Sequence, residues 1–103
     1  MDAIQECMKM TSFGGEAKSL AIQAIRLARQ GAFPESEQSM QHAQEALVKG
    51  HQAHMELLSY DANAGDLKVT IFMVHAADHL NAAETVYDLA EEMILLYKEG
   101  KHV

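Results

Sequence analysis

The chain has 103 residues, 49% hydrophobic and 22% charged, a globular composition that sets aside disorder and a two-domain enzyme. Eight Lys and Arg against fifteen Asp and Glu leave a formal charge of -7, which repels a phosphate backbone and argues against nucleic acid or an anionic membrane surface as partner. A single Cys, no basic and apolar leader, and no apolar run near the roughly 18 residues of a membrane span predict a cytoplasmic protein with no direct membrane insertion.

Three helices are expected in one domain over 1–103, an all-α, antiparallel three-helix bundle. In the first third, Ala17, Ala21, Ala24 and Ala28 recur at 4, 3, 4 spacing, a helical seam of small residues that permits close axial approach. Gly14-Gly15 interrupts this pattern and predicts a bend or a frayed N-terminal segment, since each Gly costs about 1 kcal/mol inside a helix. Cys7, upstream of that break, reads as an inert thiol. Gly31 and Pro34 supply a helix stop and a helix start.

Met40, Ala43, Leu47, Gly50, His54 and Leu57 then mark a second amphipathic helix, about 27 residues and about 40 Å long. The polar stretch Asp61 to Asp66 ends it, with Asp66 as candidate N-cap of a third helix starting near Leu67. Alternation of Leu67, Val69, Ile71 and Met73 also admits a strand there, although no second strand is available to pair with it.

The third helix carries two apolar stripes. One is Phe72, Ala76, His79, Ala83, Val86, Ala90, Met93 and Tyr97; beside it run Ile71, Val74, Asp78, Ala82, Thr85, Leu89 and Leu96. Two such stripes exceed what two partner helices cover, and with three Phe, three Tyr and no Trp the chain has little ring area of its own to bury. Self-association follows as the expectation. Met8, Met10, Met40, Met55, Met73 and Met93 read as adaptable core and interface filler, and His42 and His102 stand outside any cluster.

Chemistry concentrates at His75-Ala76-Ala77-Asp78-His79. His75 and His79 are one turn apart, and Asp78 is within a turn of both. Three readings fit these residue types. An imidazole, with an ordinary pKa near 6.5, offers a lone pair at neutral pH and can accept a phosphoryl group. Alternatively, histidines at i and i+4 can hold Zn²⁺, with His51 or His54 as a third ligand. The third is a helical adaptor or assembly protein in which both rings are merely satisfied by hydrogen bonds.

Asp78 is a carboxylate within an apolar stripe and has no Lys or Arg one turn away. If the third helix packs on itself about a symmetry axis, these carboxylates meet; at ~5 Å and an effective dielectric near 20, each pair repels by roughly 3 kcal/mol. Such a cluster calls for shared protons or a hard cation such as Mg²⁺.

The segments Gly15-Glu16-Ala17-Lys18-Ser19-Leu20-Ala21, Gly31-Ala32-Phe33 and Val74-His75-Ala76-Ala77-Asp78-His79-Leu80 resemble the IIA component of the lactose/cellobiose (chitobiose)-type phosphoenolpyruvate-dependent sugar phosphotransferase system. The resemblance implies a homotrimer, a nine-helix bundle with the third helices around its axis. It implies that His75 accepts a phosphoryl group from the histidine-containing phosphocarrier protein and donates it to a cysteine of the IIB component, in uptake of a lactose-, cellobiose- or chitobiose-type disaccharide. Asp78 matches an axial aspartate that holds a divalent metal, and His79 a second histidine that shapes the phosphoryl site. The chain departs from the family's usual pattern at Ala77, where Gln is common, at Ala32 and at His54-Met55, where Gln-Thr is usual.

Overall fold

Capping chemistry sets the ends of three long helices, which the computed structural model describes within residues 1–100; Lys101, His102 and Val103 lie outside the described residues. They are α1 (Ala3–Arg29), α2 (Phe33–Ala64) and α3 (Ile71–Lys98), with no strand among the described residues. The Asp2 carboxylate opens α1 by accepting from Gln5 N at 3.0 Å. At the other end, Gly31 adopts φ 81°, its N–H donates to Ala28 O at 2.9 Å, and Ala32 N–H donates to Leu27 O at 2.9 Å. This pair of bonds satisfies carbonyls that the helix leaves open and turns the chain through the left-handed conformation that glycine adopts without strain. Pro34 then sits in the first turn of α2, where no N–H is needed.

Several expectations need correction. No bend occurs at Gly14-Gly15: α1 runs unbroken through both, and Cys7 is fully buried in the core rather than on a frayed end. Burial raises the Cys7 thiol pKa, with the Glu6 charge adding to the effect, and both disfavour the reactive thiolate. The second helix is 32 residues long and extends to Ala64, where Gly65 stops it.

Residues 65–70 form neither strand nor helix. The N-cap of α3 is Thr70, whose hydroxyl accepts from Met73 N at 3.2 Å, and not Asp66. Instead, Asp66 lies beside the Tyr60 phenol of α2 and raises its pKa.

Small side chains set the spacing of the bundle, which measures 53 × 21 × 19 Å. Ala17, Ala21, Ala24 and Ala28 are buried on α1 as the 4, 3, 4 spacing predicts, opposite Ala76, Ala83 and Ala90 of α3. Two buried hydroxyls clip α2 to α1: Ser36 Oγ donates to Ala24 O at 2.7 Å, and Ser39 Oγ to Leu20 O at 2.8 Å. On α3 the buried line is Ala76, Leu80, Ala83, Ala90 and Ile94; Leu80 and Ile94 belong to neither stripe drawn from the sequence. The second stripe stays uncovered within the chain, with Ile71 89%, Val74 60% and Leu89 59% exposed.

These contacts separate two glycines that the sequence makes equivalent. Gly15 is exposed with open space at its Cβ position, so Gly15→Ala is expected to stabilise the chain by about 0.5–1 kcal/mol. Ser36→Ala removes a buried hydrogen bond and is expected to cost about 1 kcal/mol. Urea unfolding of both variants against the parent checks the pair.

Candidate functional site

The late start of α3 brings His75 closer to its N-terminus than the sequence implies: with Ile71 as first residue, His75 is the fifth, one turn in rather than two. Helical pitch places His79 directly above it. The two Nε2 atoms are 3.0 Å apart, and the ring planes cross at 75° with centroids 4.4 Å apart. At that distance one Nε2 carries the proton and the other accepts it, so the pair shares a single N–H. Both rings are exposed and reachable from solvent.

Backbone packing behind the pair fixes its depth. A Cβ on Gly14 would sit 3.3 Å from His79 O and 3.3 Å from Leu80 Cα, so α1 touches the α3 backbone at the very residues that carry the site. Leu80 is fully buried and fills the space at Gly50, where a Cβ would meet its Cδ1 at 2.6 Å. Residue spacing alone does not reveal either contact. A glycine kept inside each helical pattern is the signal that could have shown them, because it marks either a break or a close approach.

Asp78 lies on the uncovered face with Ile71, Val74, Ala82 and Leu89 and is itself exposed, with no hydrogen bond or ion pair among the described residues. No three His, Cys, Asp or Glu residues come together to hold a metal ion within one chain, again among the described residues. One chain therefore supplies a single carboxylate at Asp78, too few oxygens for a hard cation.

Within one chain, and among the described residues, the zinc reading likewise lacks its third ligand. His51 and His54, the two candidates, are not grouped with His75 and His79: His51 Nε2 faces Glu84 Oε2 at 3.5 Å. His54 instead lines an open apolar groove with Ala77, Val74, Met73, Leu57 and Leu58.

Residues 5–98 match the family model described as the PTS system, lactose/cellobiose-specific IIA subunit. The chain is 41% identical over 86 residues to the lichenan-specific phosphotransferase enzyme IIA component of Bacillus subtilis, covering 84% of this chain and 78% of that protein. It is 36% identical over 87 residues to the N,N'-diacetylchitobiose-specific EIIA component of Escherichia coli K12, covering 84% and 75%. The crystal structure of the PTS cellobiose-specific enzyme IIA from Bacillus anthracis superposes with a TM-score of 0.91 at 34% identity, over 96% of this chain and 91% of that one.

Gly14→Val places two methyl groups against a backbone that cannot rotate away, with an expected cost of about 1–3 kcal/mol in urea unfolding. It should also displace His79 relative to His75. Imidazole ¹⁵N signals of the two rings that match the parent's would remove Gly14 from the positioning of the site.

Proposed function

The chain belongs to the lactose/cellobiose-specific IIA family of the sugar phosphotransferase system, and from that premise we propose that it carries a phosphoryl group on His75. The observation that carries the reading is the exposed His75–His79 pair, Nε2 to Nε2 at 3.0 Å, within the span that matches the family model. The nucleophile is the His75 Nε2 lone pair. It attacks phosphorus on the phosphohistidine of the histidine-containing phosphocarrier protein; the old N–P bond breaks and its electron pair returns to the donor ring. The His79 Nε2–H that faced the lone pair then turns to a phosphoryl oxygen, where it offsets the new negative charge. A cysteine thiolate of the IIB component takes the group in the second step, and the His75 ring is regenerated. Both exchanges take place in the cytoplasm and serve uptake of a lactose-, cellobiose- or chitobiose-type disaccharide.

Assembly follows from what one chain leaves open. We propose a homotrimer in which the face bearing Ile71, Val74, Asp78, Ala82 and Leu89 packs around a threefold axis. Burial of residues as open as Ile71 and Leu89 supplies the drive. Three Asp78 carboxylates then approach one another, an all-oxygen donor set that suits a divalent cation such as Mg²⁺. No step of the transfer passes through that ion.

Incubation with the phosphorylated carrier should leave an acid-labile phosphoryl group on the parent and none on His75→Gln; equal labelling of the two would sink the assignment. His79→Ala, which loses one donor to the developing charge, is expected to slow transfer about hundredfold. Sedimentation should give three times the monomer mass at micromolar concentration. A monomer there would remove the axial role of Asp78.

A further inference from the structure

His54 is the one histidine of the second helix with an unused ring beside an apolar groove. It is half-buried, lines the groove with Ala77, and has no hydrogen bond or ion pair among the described residues. Opposite it, Ala77 presents only a methyl group. Asp61 lines the same groove and is its one carboxylate. The groove is far from the chain's own His75: two residues along α3 turn the helix by about 200°, so His75 and Ala77 lie on nearly opposite flanks.

Symmetry brings those flanks together. Asp78 falls on the arc between them, about 100° past Ala77 and about 60° short of His75. When the Asp78 face is turned to a threefold axis, each contact joins one flank of α3 to the other flank of the next copy. His75 of one copy therefore meets the Ala77 flank of its neighbour. Cyclic symmetry holds all copies at one height, and His75 and Ala77 differ by only about 3 Å of helical rise. The exposed residues at this seam, Val74 at 60% and Ile71 at 89%, are those that such a contact would cover.

We infer that His54 of one subunit completes the phosphoryl site of His75 in the next, donating a ring N–H to a phosphoryl oxygen through the space that the Ala77 methyl leaves. The inference rests on the trimeric phosphocarrier reading above. The site then draws on two chains: His75 and His79 from one, His54 from the other. Transfer is thereby faster in the assembled protein, because a lone subunit holds the nucleophile without its third donor.

Mixed oligomers test this directly. Transfer from the phosphorylated histidine carrier to His54→Ala should fall about tenfold to hundredfold, the effect of one hydrogen bond to a charged group. His54→Gln, which keeps an N–H donor, should retain most of the rate, while His54→Phe should lose it with the groove still filled.

His54→Ala chains refolded with an excess of His75→Gln chains should regain the parental rate per intact His75, since each neighbour now brings a His54. Failure of mixing to restore the rate, or an unchanged rate in His54→Ala and His54→Phe, overturns the inference. A parent that takes no label at all overturns the phosphocarrier reading itself. A labelled, trimeric parent with an indifferent His54 overturns only the role of His54.

Discussion

Close approach of α1 to α3 is the constraint on which the rest of the structure depends. Ala17, Ala21, Ala24 and Ala28 of α1 are buried in the same clusters as Ala76, Ala83 and Ala90 of α3, so small side chains line much of the seam between the two helices. Dispersion between well-packed backbones replaces the burial of large rings, which the chain lacks. The seam tolerates little added volume at Gly14, where the α3 backbone is already at contact distance. It also leaves α3 with more apolar surface than the bundle can cover. Narrow packing inside the chain and a surplus face outside it are thus two results of one choice of side chains.

Much of this was legible in the residues. The 4, 3, 4 alanine spacing located the buried face of α1, and Met40, Ala43, Leu47, Gly50 and Leu57 that of α2. On α3 the period was right but the centre of the buried face was not, because Leu80 and Ile94 displaced Phe72 and His79 as core residues. Periodicity fixes which residues share a face; only packing decides which of two adjoining apolar faces goes inward. The start of α3 was misplaced for a local reason. Asp66 and Thr70 are both competent caps by residue type, and the chain used the one next to the first helical turn.

Gly14 shows a further limit of propensity. Taken alone it argued for a broken helix, yet α1 passes through it intact. Tertiary contact with His79 and Leu80 outweighs a local cost of about 1 kcal/mol. For the candidate site, the types and spacing of His75, Asp78 and His79 were readable in the sequence. The ring contact follows from helical pitch, whereas the isolation of His51 and His54 from that pair depends on how α2 packs and could not be read from spacing.

Because both rings of the His75–His79 pair are carried on successive turns of one helix, their separation is set by pitch and rotamer, and the other helices act on it only through the α3 backbone. The pair is thus a local unit, held within the five-residue stretch from His75 to His79. A change elsewhere on the surface therefore reaches the two rings only by moving the stretch of backbone that carries them.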